Sequence, residues 1–131
     1  MPEKIKVLMI GGGYTSVWAY KSLASRVKKK IRKGDVEITV ISPTNYHSFH
    51  GWTGEIIGGS IDGSLCHTPL KVIMPKAKII SGNATDIDFK NRRVTVDLSV
   101  CSEKIFLNYD HLVIGTGTKD NEDAIKGLKK Y

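Results

Sequence analysis

The sequence predicts an α/β fold: a parallel sheet entered through a βαβ unit, with an antiparallel β-meander inserted before the sheet is rejoined. Three observations predict it. A short, continuously apolar run at residues 7–10 ends in three consecutive glycines, Gly11, Gly12 and Gly13. A helical stripe and a second apolar run follow within about forty residues, as a βαβ unit requires. Beyond residue 86 the pattern changes to strict alternation, which marks a half-exposed antiparallel sheet.

The elements are justified in order. Residues 4–10 read as a strand buried on both faces, because continuous apolarity rather than alternation is what a parallel sheet demands. Val17, Tyr20, Ala24, Val27 and Ile31 recur at steps of three and four, so residues 14–31 are expected as one helix with a single apolar stripe. Gly34 ends it in the usual way. Residues 36–41 form the second strand, stopped by Pro43. Residues 45–63 hold five glycines with no clear period and read as an irregular excursion, of a length that is usually functional or mobile. Residues 65–74 suggest a short helix broken by Pro69, and residues 77–80 a third strand. Ile87 alternates with Asp86 and Asp88, and Val94, Val96 and Leu98 alternate with polar residues across Lys90-Asn91-Arg92. This is a hairpin, with a third strand at residues 104–107. Leu112–Ile114 returns to buried strand and runs into Gly115-Thr116-Gly117. The chain from Lys119 onward is a charged tail.

Size and composition bound the rest. The 131 residues suit one domain, and the 40% hydrophobic content excludes a largely disordered chain. No apolar run approaches the ~20 residues that cross a bilayer, and the N-terminus lacks the layout of a secretion signal. A cytoplasmic location is the expectation. Cys66 and Cys101 form neither a CxxC motif nor a metal-ligand set, and both are expected as semi-buried thiols. Much of the net charge of +7 comes from Arg26, Lys28, Lys29, Lys30, Arg32 and Lys33. At a helix C-terminus these cations complement the macrodipole, so a solvated helix end is favoured over an anionic membrane surface or a nucleic-acid patch. No nucleic-acid partner is expected.

The chemistry lies in the glycine turn. Gly11-Gly12-Gly13-Tyr14-Thr15-Ser16 falls between the first strand and the first helix, where the first glycine permits a tight turn. The second, Gly13, lets backbone approach a pyrophosphate, and the third position, here Ser16, lets helix and strand pack closely. A pyrophosphate would then meet free N–H groups at the positive helix end, with Tyr14 and Thr15 opening that helix. A Rossmann-like dinucleotide site normally has Asp or Glu at the end of the second strand for the ribose hydroxyls. The equivalent here is Ser42, whose neutral hydrogen bond is weaker by roughly 1–3 kcal/mol; Asn45 or Thr44 could partly compensate.

Five segments together extend the reading. IGGGYTSVWA at the first turn, Asn45-Tyr46-His47, Thr68-Pro69-Leu70-Lys71, the stretch from Gly82 to Asp88 with Asn91-Arg92-Arg93-Val94, and Tyr109-Asp110-His111-Leu112-Val113-Ile114-Gly115-Thr116-Gly117 occur in this order. Taken together they resemble the N-terminus of type II NADH dehydrogenases, FAD-containing NADH:quinone oxidoreductases of the pyridine nucleotide–disulfide oxidoreductase superfamily.

The resemblance implies a partial FAD/NAD(P)-binding domain with FAD as cofactor. Its diphosphate would lie over Gly11–Ser16, Thr116 and Gly117 near the same nucleotide, Ala84 near the adenine, and residues 45–52 towards the isoalloxazine. The chain departs from the family at Ser42, at Gly115 where alanine is usual, and at Gly51-Trp52.

The resemblance also implies that the family's NADH domain, the remainder of its flavin site and its membrane-docking region lie outside this chain. NADH and quinone are then partners of a full-length protein on a membrane surface, and the fragment is expected to be inactive alone and to oligomerise. The expected organisation is one truncated domain: 1–83 for the βαβ half and excursion, 84–108 for the meander, 109–118 for the returning strand and turn, and 119–131 for the tail.

Other candidates divide. His47 and His50 could move protons near a reduced flavin, although a hydrogen-bonding role for His47 in the Asn-Tyr-His turn is favoured. Trp18 and Trp52 are expected to pack. No catalytic side chain and no metal site is expected. The rivals are a sulfide:quinone oxidoreductase-type flavoprotein, which would need redox cysteines, and a non-catalytic Rossmann-like nucleotide-binding module.

Overall fold

The computed structural model describes residues 3–119 and 121–127; of the charged tail, residues 120 and 128–131 lie outside them. Strand β1 is Ile5–Ile10. Helix α1, Tyr14–Arg26, is followed by α2, Lys28–Lys33, and strand β2, Val36–Ser42. The stripe expected over one helix is therefore carried by two. The junction is Val27, at φ −109° and ψ 21°. Arg26/Lys30, Lys28/Arg32 and Lys29/Lys33 are like-charge pairs four residues apart, which weaken a helix in this stretch. Val27 and Ile31 nevertheless keep their phase and pack on the core with Leu23 and Ala24. Gly34, at φ 84°, closes α2.

The excursion is more ordered than its sequence suggests. Strand β3, Tyr46–Ser48, leads to a 3-10 turn at His50–Trp52 and helix α3, Thr53–Ile57; a second 3-10 turn, Gly63–Cys66, leads to strand β4, His67–Pro69. Strands β3 and β4 pair antiparallel. Pro69 does not break a helix. It ends β4, and helix α4, Leu70–Ile73, begins at the next residue, because proline is tolerated only at or before a helix start.

Strand β5, Lys78–Asp88, is one eleven-residue strand where the sequence suggested two elements. Its first part pairs parallel with β2, from Thr39↔Lys78 to Ser42↔Ser81. Its second part pairs antiparallel with β6, Arg93–Leu98, and a register shift falls between Ala84 and Asp86. Strand β7, Lys104–Asn108, completes the meander, and β8, His111–Ile114, returns to pair parallel with β1. The six-stranded sheet has the order β7-β6-β5-β2-β1-β8.

Both faces of the parallel strands are buried, as continuous apolarity predicts. Val7 and Met9 join Val36, Ile38 and Val40 beneath Val17, Tyr20, Leu70 and Met74. Leu8 and Ile10 face the opposite way, against Ile41, Ile80, Val94, Val96 and Tyr109. The Tyr20 hydroxyl accepts a 3.0 Å hydrogen bond from the Lys76 N–H, which satisfies a buried polar group and ties α1 to the start of β5. Strand β8 is clamped at its beginning: Lys6 N–H donates to the Asp110 carboxylate at 2.7 Å, and Asp110 N–H donates to Lys6 O at 2.9 Å.

Two packing expectations are corrected. Trp18 lies on the outer side of α1, 66% exposed, with Lys21 Nζ 5.2 Å from its ring centre; the helical phase that buries Val17 and Tyr20 turns it to solvent. Trp52 is 42% exposed and meets Phe49 edge-on. Cys66 is buried but Cys101 is exposed, because it sits in the connection between β6 and β7. In the turn after β5, the Asn91 side chain and N–H both donate to Asp88, holding its carboxyl below the usual carboxylate range.

Candidate functional site

The chain runs from β1 outward through β2 to β5, then crosses back to place β8 on the other side of β1. The strand order reverses between β1 and β8. In open parallel sheets a ligand crevice forms outside the carboxyl ends of the strands at that point. The carboxyl ends of these two strands are the two glycine turns.

Gly11 has φ 101°, and a Cβ there would sit 2.1 Å from Gly115 O, so the two turns touch backbone to backbone. Gly11 N–H donates to Ile41 O at 2.7 Å and Gly115 N–H to Ile10 O at 2.8 Å, which fixes both turns to the sheet. Gly12 is equally enclosed, since a Cβ would lie 2.8 Å from both Leu70 Cδ1 and Ser42 Oγ. Gly13 differs. It caps α1 in an extended conformation with no side-chain cap, and a Cβ there would meet no atom within 4 Å. The first amides of a helix have no intrahelical acceptor, and among the described residues the N–H groups of Gly13, Tyr14, Thr15 and Ser16 donate to no other group. The turn thus offers unpaired donors, the positive end of a helix and open space at one glycine, as a diphosphate requires.

A groove of about 260 Å³ lies over this turn, lined by Gly11, Gly12, Gly13, Tyr14, Ser42, Pro43, Thr44, Tyr46, His47, Ser48, His50, Gly115, Thr116 and Gly117. A smaller, more apolar groove of about 180 Å³ adjoins it through Gly11, Pro43 and Thr116, and adds Ala84 with Asn83, Gly82, Ile10 and Ile41. Each is smaller than a typical ligand cleft of ~300–1,000 Å³. Together they give two adjoining grooves, the second the more apolar of the pair.

The excursion is tied to the glycine turn by two contacts. His47 Nδ1 lies 3.1 Å from Gly12 O. His50 N–H donates to the Tyr14 hydroxyl at 2.9 Å. The Tyr14 ring meets His47 edge-on at 4.7 Å.

The structure thus brings together Gly11, Gly13, Tyr14, Ser42, His47, Thr116 and Gly117 in one groove and Ala84 in the next. Thr15, Ser16 and Asn45 do not line either groove. Thr15 and Ser16 face β8, and Asn45 uses its carbonyl to accept from Leu70 N–H at 2.8 Å. Sequence reasoning missed Gly12, Pro43, Tyr46 and Asn83 as wall residues, and named Thr44 only as a possible compensation for Ser42. Adjacency was the available signal for all of them, since each neighbours a residue already singled out.

Ser16 and Gly115 share one packing space. Ser16 is fully buried, its Oγ has no hydrogen-bond partner, and a Cβ on Gly115 would lie 2.9 Å from it and 3.0 Å from Thr15 Cβ. The helix carries a hydroxymethyl group at Ser16, the third position of the glycine turn, and the facing strand end carries no side chain at Gly115. Gly115→Ala is therefore expected to cost about 1–3 kcal/mol by overpacking. Ser16→Ala, which removes a buried unsatisfied hydroxyl, is expected to be neutral or stabilising. The double variant should recover part of the loss, with a coupling of about 1 kcal/mol in denaturant melts. Strictly additive single effects would show that the two positions do not share the space.

Comparison with known proteins bears on this site. The family described as pyridine nucleotide-disulphide oxidoreductase matches residues 5–131. A type II NADH:quinone oxidoreductase of Staphylococcus saprophyticus is 26% identical over 98% of the chain, which corresponds to 30% of that protein. NDH2 from Plasmodium falciparum superposes with a TM-score of 0.75 at 22% identity, over 98% of this chain and 25% of the other, which speaks to fold alone. The sulfide:quinone oxidoreductase of Aquifex aeolicus superposes with a TM-score of 0.71 at 28% identity, over 88% of this chain and 25% of that one. The chain spans about 30% of the length of the curated relatives it matches.

Proposed function

The chain belongs to the pyridine nucleotide-disulphide oxidoreductase family, and from that premise we propose that it is the FAD-binding module of an NADH:quinone-type oxidoreductase. The observation that carries the proposal is the meeting of the two glycine turns at the β1/β8 reversal, with unpaired helix amides beside Gly13, whose missing side chain leaves open space. The cradle fits a dinucleotide. Gly13, Tyr14, Thr15 and Ser16 N–H groups would hold its diphosphate, and Ser42, with Thr44 beside it on the groove wall, would serve the ribose in place of Asn45, which lies outside the groove. Ala84 and the apolar groove would take the adenine, and Thr116 and Gly117 would close the other side. Bound there, FAD supplies hydride acceptance from a nicotinamide and onward electron transfer; the protein positions it and tunes its electronics.

This chain's own residues bind and orient. None lining the groove is assigned as an acid, base or nucleophile. NADH and quinone belong, in this proposal, to a full-length protein lying on a membrane surface. No helix among the described residues is long and apolar enough to cross a membrane. Self-association of the chain across the open edge of β8 belongs to the same proposal.

The second reading is a sulfide:quinone oxidoreductase-type flavoprotein, favoured by the 28% identity to the Aquifex aeolicus enzyme. Against it, Cys66 and Cys101 are both free and neither lines either groove.

The test is a titration of the isotopically labelled chain with ADP and with FAD. Saturable amide shifts at Gly12, Gly13, Thr116 and Ala84, with a dissociation constant of about 1 mM or tighter, are expected. An unchanged spectrum with both ligands would sink the dinucleotide reading. Binding of ADP without retention of flavin would leave a nucleotide module and remove FAD.

A further inference from the structure

We propose that His47 is a positioning residue that sets the orientation of the Gly12–Gly13 peptide, and through it the Gly13 amide, for an incoming diphosphate. The proposal rests on the nucleotide-site reading above and deepens it.

The geometry begins with three consecutive glycines, Gly11, Gly12 and Gly13. Without Cβ atoms, a peptide between two glycines can rotate as a unit at little steric cost. Gly11 is held by its N–H to Ile41 O, and Gly12 is walled in by Leu70 and Ser42. Among the described residues, a single side chain bonds the Gly12–Gly13 peptide itself. His47 Nδ1 lies 3.1 Å from Gly12 O, and because a carbonyl oxygen has no proton to give, Nδ1–H is the donor.

A trans peptide is planar, so its C=O and N–H point in opposite directions. Drawing Gly12 O towards His47 therefore directs Gly13 N–H away from the excursion. There it has no acceptor among the described residues. His47 is itself placed by β3, which pairs with β4 through His47↔Thr68, and by the edge-on contact with Tyr14. The ordered part of the excursion is thus the support that fixes a donor in the turn. This gives the segment a task other than contact with a flavin ring.

The experiment compares ADP binding by the wild-type chain, His47→Phe and His47→Asn, together with thermal midpoints and the Gly13 amide resonance without nucleotide. Phenylalanine keeps a ring against Tyr14 but has no donor. Asparagine loses the ring but places an N–H where Nδ1–H was. His47→Phe is expected to bind ADP about tenfold more weakly, with Gly13 broadened by exchange between two peptide orientations. His47→Asn is expected to stay within about threefold of wild type. If His47→Phe fails to fold, His47→Gln, which carries its N–H one bond too far, takes its place with the same expected loss.

Equal binding by wild type and the variant lacking the donor overturns the proposal. So does an asparagine variant as weak as phenylalanine, which would assign the effect to ring packing. A wild-type chain that binds no ADP overturns the site reading as well, and that outcome is visible before any variant is made.

Discussion

Replacing Gly11 by alanine is expected to remove most of the fold's stability. The residue sits at φ 101°, and its new Cβ would lie 2.1 Å from the carbonyl oxygen and 2.8 Å from the carbonyl carbon of Gly115. Neither atom is a side-chain end that can swing aside; both belong to the turn after β8. The left-handed conformation alone costs about 1–3 kcal/mol. Forcing the turns apart adds at least about 1–3 kcal/mol. The sum approaches the ~5–15 kcal/mol by which domains are stable at all. At ~4–8 °C per kcal/mol for a small domain, the thermal midpoint should fall by more than about 10 °C by circular dichroism. A shift of only a few degrees would mean that the β1 and β8 turns are not packed backbone to backbone.

Two residues along the chain, a substitution of similar chemistry should do the opposite. Gly13→Val is expected to leave the fold intact and to weaken ADP binding by tenfold or more, about 1.4 kcal/mol. Its φ of −83° and ψ of −167° are extended backbone that valine adopts without strain, and no atom waits within 4 Å of the new Cβ. A glycine with no protein neighbour against its missing side chain is preserved by nothing in the packing. The space is open for a ligand that must approach the main chain closely. Isothermal titration with ADP, beside a melt that stays within about 4 °C of wild type, checks both halves. Undiminished affinity would place the diphosphate elsewhere.

The contrast shows what could be read in advance. The glycine triplet, the following stripe and the switch to alternation were enough for the sheet's composition and for the place of the site, because each depends on local periodicity and turn chemistry. The order β5-β2-β1-β8 is not a local property, yet it follows once residues 109–117 are recognised as a strand and turn that must rejoin the first. What stayed hidden was non-local or cooperative. The apolar stripe does not announce the junction, since Val27 and Ile31 keep their phase across it; its signal lay in the like-charge pairs around Val27, which the stripe outweighed. The single strand from Lys78 to Asp88 changes partner midway, so its first part carries the buried pattern of a parallel strand and its second part that of an exposed hairpin. Gly115 against Ser16 is a contact between residues 99 positions apart, and the sequence shows only two unrelated oddities. Trp18, expected to pack, is exposed because helical phase decides burial and it follows Val17 on the outer side of the stripe.

The position of β8 has a consequence for how the molecule comes into being. Its clamp joins Lys6 to Asp110 across 104 residues, while the β5–β6–β7 hairpins join neighbours in the chain. Closing so long a loop carries more entropy than closing a hairpin, and pairings of large sequence separation slow folding. Contact order therefore predicts that the meander's hairpins pair before the β1–β8 seam closes. Any affinity housed in that seam arises only with the final step, so a nucleotide present during refolding meets no partially built receptor. It acts as a trap for the finished state, not as a template for reaching it.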